Sequence, residues 1–383
     1  MLAKTLGMSE RPSFSVEYLE PPVPIDAEPL PEEFSAPRLK RALLILAGIV
    51  AAIVAAILLA PGLDSLRDRF NGAQPGWLAF AAVLEILSCA SYVMVFRGVF
   101  CDRMSWRTST EIGLGELAAN SLFSVGGAGG LALGAWILRR GGLPRDYIAH
   151  RTVAFFLITS LANVTFLAIG GIGLATGILH GEHNVLLGLL PAIAAVLIIV
   201  LALGAGQAAG ALQRRSMRAK LAAAAGAVGD GVGEAMRLLK TGDPMIYLGA
   251  AGYMLFDVAM LGVCFTAFGH DVPPAGVLLV AYIVGQLGGL IPIPGGIGGV
   301  DGGLIGTLVL YGVDPGDAAV AVIAYRGLLL TIPALLGLPA LAVLRKRLQS
   351  EAHDIAACAP GQTVEVLGRG EVQRGVPVTT SAE

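Results

Sequence analysis

Long apolar runs separated by short polar stretches dominate the chain between residues 42 and 344. Eight of these runs stand out: residues 42–60, 77–97, 111–138, 152–178, 185–211, 245–269, 275–311 and 317–344. About 20 apolar residues are needed to cross the hydrocarbon core of a bilayer as an α-helix. The strands of a membrane β-barrel would instead alternate polar and apolar residues over short segments. The pattern therefore predicts an all-α polytopic membrane protein.

Basic residues decide how the eight runs cross the membrane, because cytoplasmic loops carry an excess of lysine and arginine. A single crossing by every run would leave four arginines outside: Arg139, Arg140, Arg145 and Arg151. If residues 111–138 and 275–311 each enter and return on one side, only Arg67 and Arg69 remain outside, and Arg326 lies within a span. We therefore predict about six full transmembrane helices plus two opposed re-entrant helical hairpins in the cell membrane.

The ends of the chain differ from its apolar centre. Residues 1–37 are rich in proline and glutamate and lack the pattern of a signal peptide. We predict a disordered cytoplasmic tail there, a transmembrane domain over residues 38–345, and a second cytoplasmic tail over residues 346–383. The basic stretch QRRSMRAK at 213–220 predicts a cytoplasmic helix that contacts anionic lipid.

Composition excludes several other classes of protein. The mean hydropathy is +0.74 and 14% of the residues are charged, against about 25% in a soluble domain. The net charge of −2 says little about partners; we expect no nucleic acid and leave the oligomeric state open. The motifs GxSxG, HExxH and the P-loop are missing, so we expect neither enzymatic activity nor a cofactor. The scattered cysteines indicate neither a disulfide framework nor a metal site: Cys89, Cys101, Cys264 and Cys358.

The segment IPIPGGIGGVDGG at 291–303 interrupts an apolar run with two prolines and six glycines. Each glycine in a helix is about 1 kcal/mol less favourable than alanine. Non-helical backbone at membrane depth is tolerated only where protein or a water-filled cavity surrounds it. The segment favours the tip of a re-entrant hairpin, and the alternative is a kinked but complete transmembrane helix.

The order of an acidic helix, a glycine-tipped hairpin and an arginine helix occurs twice. Glu85 and Asp257 precede the two hairpins and are 172 residues apart, and Arg151 and Arg326 follow them, 175 residues apart. The copies span about 77–211 (repeat A) and 245–344 (repeat B), and the predicted topology gives them opposite orientations. Glu116 and Gln286 occupy matching positions at the entrances of the hairpins. Inverted repeats with broken helices that meet near the midplane are typical of transporters.

The sequence resembles the flippase-like family of the lysylphosphatidylglycerol synthase transmembrane region over roughly residues 40–345. Its second motif is matched in order by Pro294, Gly295, Gly296, Asp301, Gly312, Val313 and Arg326. Its first motif is represented by Asn120, Gly126, Gly127, Gly129, Gly130, Arg139, Arg140 and Arg151. The chain departs from the family where a proline, an acid and an arginine are usual, and has Val125, Leu131 and Gly134 there. The resemblance implies a lipid translocator, and we expect that part alone because too few residues follow Leu344 for a synthase domain.

Several polar residues in apolar runs are candidates for function, since such groups are costly in a membrane. Arg326 is a candidate for binding a lipid phosphate, for a static pair with Asp301, or for snorkelling to an interface. The turn that contains Gly295 and Gly296 offers backbone N–H groups to an anion, or only permits close helix contact. Three further candidates for binding substrate are Asn120, Glu116 and Arg151.

The acids Glu85 and Asp257 are candidates for binding a headgroup amine, for relaying protons, or for packing alone. The preferred hypothesis is a flippase that moves an anionic or aminoacylated phospholipid between leaflets. The alternatives are a secondary transporter of a small solute, and an accessory subunit or enzyme acting on lipid-linked sugars.

Overall fold

The computed structural model describes residues 68–123, 128–179, 219–290 and 296–358, apart from residue 71, together with positions 41, 44, 48, 189–191, 193–194 and 197. Most of the predicted spans 42–60 and 185–211, the tail 1–37, the basic stretch 213–220 and the residues after Cys358 lie outside the described part. Within the described part, every regular element is helical.

Nine α-helices follow one another in the described residues. They are α1 (Pro75–Phe100), α2 (Trp106–Phe123), α3 (Ala128–Arg140), α4 (Arg145–Ala175), α5 (Ala219–Thr241), α6 (Pro244–Ala267), α7 (Ala275–Gln286), α8 (Gly299–Leu310) and α9 (Pro315–Ala356), with a 3₁₀ turn at Leu287–Leu290 after α7. Four described segments are long and apolar enough to cross a membrane: α1, α4, α6 and residues Pro315–Leu344 of α9. The prediction of an all-α membrane protein is confirmed.

Helices α1 and α6 pack tightly against each other in opposite directions. Their contacts run from Gly98 with Ile246 to Ser91 with Gly252. Gly249 lies between these positions, and a Cβ on it would be only 2.6 Å from the backbone nitrogen of Val95. Small residues allow helix backbones in membranes to approach this closely. The sequence thus places the two acidic helices side by side in the centre of the bundle.

Helices α2 and α3 form the first hairpin. Asn120 of α2 faces Gly130 of α3, whose backbone N–H donates to Asn120 Oδ1 at 2.7 Å. The start of the hairpin is held by Asp354 near the end of α9, because Asp354 Oδ2 accepts from the backbone N–H of Ser105 at 3.0 Å. The hairpin also ends there, since Gly141 lies against Ile355. Both ends of the first hairpin therefore lie at one end of the bundle.

Helices α7 and α8 form the second hairpin, which opens at the other end of the bundle. Gly285 of α7 lies against Gly303 of α8, where a Cβ would be 3.1 Å from the Cα of Gly285. The beginning of α7 contacts the end of α4 through Gly276 and Leu174. After α8, Asp314 forms an ion pair with Arg69, which precedes α1. The described helices thus contain two hairpins that enter the bundle from opposite ends.

The structure corrects the expectation about cysteines. Cys101 and Cys358 form a disulfide, with their Cα atoms 5.7 Å apart, while Cys89 and Cys264 are free and buried. The bond joins the end of α1 to the turn after α9. Sequence spacing could not show it, because the two cysteines are 257 residues apart and meet only once the helices have packed.

Candidate functional site

Three of the candidate polar residues lie at mid-depth in the long helices. Glu85 lies ten residues into α1, Asp257 ten residues before the end of α6, and Arg326 eleven residues into α9. At a rise of 1.5 Å per residue each is ~15 Å from a helix end, which is about half the thickness of the hydrocarbon core. These side chains therefore belong to the interior of the bundle at the middle of its long axis.

Arg326 and Asp301 form an ion pair between α9 and the start of α8. Arg326 Nε donates to Asp301 Oδ1 at 2.7 Å, and the two side chains are 9% and 22% exposed. Asp301 Oδ2 accepts from the backbone N–H of Gly298 at 2.7 Å, so the carboxylate also caps α8, where a negative charge suits the helix dipole. Of the three alternatives for Arg326, the structure shows the ion pair with Asp301. Binding of a lipid phosphate by this arginine stays a prediction.

The glycine turn before α8 lies against the Arg326 guanidinium. A Cβ on Gly296 would be 3.4 Å from Arg326 Nη2, and the φ of this glycine is +64°. Gly298 has a φ of +86°, which side chains other than that of glycine rarely adopt. The turn therefore needs glycine for its shape as well as for its closeness to the arginine. Gly295 and Pro294, the other predicted parts of this site, lie outside the described residues.

The acids Glu85 and Asp257 lie on the facing sides of α1 and α6, where they are 2% and 1% exposed. Tyr282 of α7 donates its hydroxyl to Asp257 Oδ2 at 2.8 Å. Cys89 Sγ lies 3.7 Å from Glu85 Oε1. The remaining oxygens, Glu85 Oε2 and Asp257 Oδ1, are buried without a hydrogen-bond partner among the described residues. The structure thus brings together the two acids that the sequence repeat matched.

Glu116 and Asn120 hold the first hairpin together. Tyr92 of α1 donates its hydroxyl to Glu116 Oε2 at 2.7 Å, and Glu116 is 1% exposed. The other carboxyl oxygen of Glu116 lies against Gly134 of α3, where no side chain would fit. Asn120 caps the beginning of α3 through Gly130. Both contacts are within the protein, and a role in binding substrate stays a prediction for both residues.

Arg151 lies at the end of the bundle where α1 ends. Its Nε forms an ion pair with Glu234 Oε1 of α5 at 3.0 Å, and its Nη1 donates to the backbone oxygen of Val99. Hydrogen bonds from Arg237, together with the charge of Arg151, lower the pKa of Glu234. Arg151 and Arg326 are matched in the sequence repeat, yet the structure gives them different surroundings.

A cavity of about 430 Å³ opens beside Arg151 at the same end. It is lined by both polar and apolar side chains, and the disulfide of Cys101 and Cys358 forms part of its wall. Two of its three basic lining residues, Arg151 and Arg237, form ion pairs with Glu234. This cavity is well separated along the bundle from the mid-depth acids.

Sequence analysis missed the tyrosines that surround the mid-depth acids. Tyr92 and Tyr282 donate to carboxylates, and the hydroxyl of Tyr325 is buried without a hydrogen-bond partner among the described residues. Tyr253 packs edge-on against Tyr92, with ring centroids 5.3 Å apart. A tyrosine deep in an apolar run usually needs a hydrogen-bond partner. That rule, applied to the segments containing the acids, would have identified these residues.

Comparison with known proteins identifies the family of the chain. A search of curated proteins finds no significant match. A family model described as the lysylphosphatidylglycerol synthase transmembrane region matches residues 44–337, which include all nine candidate site residues named from the sequence. This match covers most of the chain and confirms the resemblance carried by the glycine turn, Asp301 and Arg326. The chain therefore belongs to the family of the lysylphosphatidylglycerol synthase transmembrane region.

Proposed function

We propose that this integral membrane protein is a non-enzymatic flippase that moves a phospholipid between the leaflets of the cell membrane. The family description names lysylphosphatidylglycerol, an aminoacylated phospholipid. The proposed substrate class is a phospholipid with an anionic or aminoacylated headgroup, which presents a phosphate and, when aminoacylated, an ammonium group.

The first support is the arrangement of the two hairpins. α2 and α3 begin and end at one end of the bundle, and α7 and α8 begin and end at the other. We interpret them as re-entrant hairpins that enter the membrane from opposite sides. Broken helices that meet near the midplane in an inverted repeat are the setting in which many transporters bind their substrates.

The second support is the position of the two matched acids. Glu85 and Asp257 occupy equivalent places in repeats A and B, and they meet where α1 and α6 cross. Two repeats related by a pseudo-two-fold axis bring equivalent residues together only on that axis. The facing acids therefore support an axis that passes through the centre of the bundle in the plane of the membrane.

The observation that carries the proposal is the ion pair of Arg326 with Asp301 beside the glycine turn. A guanidinium binds carboxylate and phosphate with the same planar geometry, so a lipid phosphate can replace Asp301 as its partner. The backbone N–H groups at the start of α8 favour an anion at the same place. In this mechanism Asp301 occupies the site when it is empty, and the released carboxylate attracts the cationic part of the headgroup.

The test uses purified protein in liposomes that contain a fluorescent phosphatidylglycerol. A quencher added outside reports how much labelled lipid reaches the outer leaflet. The wild-type protein is expected to move the lipid, Arg326→Ala to lose most of the activity, and Arg326→Lys to retain part of it. Arg107→Ala is the matched control, because that arginine is 55% exposed and forms an ion pair with Glu111 of its own helix. Normal movement by well-folded Arg326→Ala protein would contradict the phosphate role.

One observation favours a second candidate, a transporter of a small soluble cation. Glu85 and Asp257 are almost completely buried, and a space closed to bulky headgroups can still admit a small solute. The same liposomes distinguish the two functions. Uptake of an amine or alkali cation without movement of labelled lipid would favour the solute transporter and contradict the flippase.

A further inference from the structure

The burial and hydrogen bonding of Glu85 and Asp257 support a role other than binding a headgroup. At 2% and 1% exposure, both carboxyls are enclosed by neighbouring side chains, which disfavours direct contact with a bulky headgroup. Each nevertheless has one carboxyl oxygen without a hydrogen-bond partner among the described residues. Buried polar atoms are nearly always hydrogen-bonded, so these two oxygens are positions where a small group such as a proton can bind.

The packing of α1 on α6 places the two carboxyls opposite each other. Ser91 lies against Gly252, and one turn further Ser88 Oγ donates to the backbone oxygen of Tyr253 at 3.0 Å. One more turn along each helix brings Glu85 to face Asp257. The electrostatic interaction between the two carboxyls agrees with this register.

Among the described residues, the side chains that face the pair are a thiol, tyrosine hydroxyls and one guanidinium. Cys89 faces it from α1, Tyr253 from α6, and Tyr282 from α7. From α9, Tyr325 and its neighbour Arg326 approach, and the guanidinium of Arg326 is held by Asp301. Two adjacent carboxylates in an apolar interior cannot both stay ionised without a positive charge between them.

We propose that Glu85 and Asp257 together hold one exchangeable proton, which binds from one side of the membrane and leaves to the other as lipid moves. The proton sits on one of the two carboxyls and removes the repulsion between two like charges. On release it passes to water that reaches the pair from the other side of the membrane, and this water solvates the two carboxylates until one of them is protonated again. The coupling to lipid rests on the proposed function, whereas the proton site itself does not.

Tyr282 links this site to the second hairpin. Its hydroxyl donates to Asp257 Oδ2 at 2.8 Å, and a hydrogen bond to a charged carboxylate is about twice as strong as one to a neutral group. Protonation of Asp257 therefore weakens the attachment of α7. The glycine turn and Asp301 belong to the same hairpin, so the state of the proton influences the site proposed for phosphate.

A metal ion fits this place less well than a proton. A calcium ion is surrounded by six to eight oxygens, whereas two carboxyl oxygens of this pair lack a partner among the described residues. Among the described residues, no group of three or more histidine, cysteine or acidic side chains is placed to hold a metal. Repeating the experiments below in sodium-free buffer checks this distinction, and loss of the effect without sodium would overturn the proton proposal.

The first experiment detects the proton directly in protein reconstituted in lipid nanodiscs. Infrared difference spectroscopy records the C=O stretch of neutral carboxylic acids as the pH is changed. The wild type is expected to show such a band that titrates, and Glu85→Gln and Asp257→Asn are each expected to remove it or stop its titration. Asp146→Asn is the control, since this acid is exposed at the start of α4. Identical spectra for the wild type and both variants would overturn the proposal.

The second experiment measures coupling in liposomes with a pH difference across the membrane. If one proton moves with each lipid, a difference of one pH unit supports up to a tenfold ratio of labelled lipid between the leaflets. Glu85→Gln, which keeps the size of the side chain, is expected to abolish the effect of the gradient. Lipid movement that ignores the gradient in wild-type protein would overturn the coupling. Vesicles that move no lipid at all would contradict the proposed function, while the infrared result would still decide the proton site.

Discussion

At the residue scale, the pair of Arg326 and Asp301 has two roles that can be separated. The pair is buried enough that removal of one member leaves an uncompensated charge, which typically costs ~3–5 kcal/mol. Asp301 also caps α8 through Gly298. The same guanidinium is the proposed partner of a lipid phosphate. Stability depends on the two residues together, whereas the proposed binding of phosphate depends on the arginine alone.

Arg326→Ala is therefore expected to lower the melting temperature, and a second change, Asp301→Ala, is expected to recover part of the loss. The double variant should still fail to move lipid, because the phosphate partner is missing. Thermal unfolding in detergent and the liposome assay measure the two effects. A double variant that regains both stability and lipid movement would show that the arginine serves only the pair.

Glu234 provides a residue-scale prediction about pH. Arg237 and Arg151 hold its pKa below the ordinary value of 4.5. A carboxylate with a lowered pKa stabilises the folded state fully above its unfolded pKa, and this contribution is lost as the pH falls through the folded value. Glu234→Gln should thus melt earlier than the wild type near neutral pH, and the difference should shrink below about pH 4.5. A difference that stays constant over this range would exclude the ionised carboxylate as its cause.

At the element scale, glycines determine how closely the two halves of each hairpin approach. In the first hairpin Gly134 leaves room for the carboxyl of Glu116, which Tyr92 holds from α1. In the second hairpin Gly285 and Gly303 bring α7 and α8 into backbone contact. Glycine runs thus have different uses along the chain, and only some of them form a turn.

Gly134→Ala is expected to destabilise the first hairpin, because the added Cβ collides with Glu116 Oε1. The carboxyl would have to leave its buried contact with Tyr92. Gly306→Ala is the matched control in α8, since the Cβ it would gain meets no other described part of the chain within 4 Å, apart from its neighbours in the same helix. Alanine favours a helix by ~1 kcal/mol over glycine, so the control should melt at the same temperature or higher. Equal melting temperatures for the two variants would contradict this account of Gly134.

At the scale of the whole molecule, the sequence predicts features that depend on local composition. Apolar runs predicted the long helices, and a glycine-rich segment predicted the interruption between α7 and α8. The pair of Arg326 with Asp301 was one of three open alternatives, because charge alone does not choose between a protein partner and a lipid. Contacts between distant segments had no local signal. The disulfide of Cys101 with Cys358 and the ion pair of Arg151 with Glu234 exist only because α1, α5 and α9 end where α4 begins.

Two features at one end of the bundle indicate opposite orientations of the molecule in the membrane. Arg139, Arg140, Arg145 and Arg151 lie at the end of the bundle that carries the disulfide. An excess of arginine indicates the cytoplasm, whereas disulfides persist mainly in oxidising compartments. We predict from the arginines that this end is cytoplasmic. Several charges must remain on one side during insertion, whereas a single disulfide can be reduced after folding.

Arg145→Cys, in protein lacking the native cysteines, is therefore expected to react with an impermeant maleimide only after the cells are opened. Arg145 is exposed at the start of α4, so the added thiol will be accessible at that end. Asp271→Cys is the matched control, because Asp271 is exposed between α6 and α7 at the opposite end. It should react in intact cells. The reverse pattern would place the disulfide outside the cytoplasm and invert the predicted topology, and it would also reverse the side from which each hairpin enters the membrane.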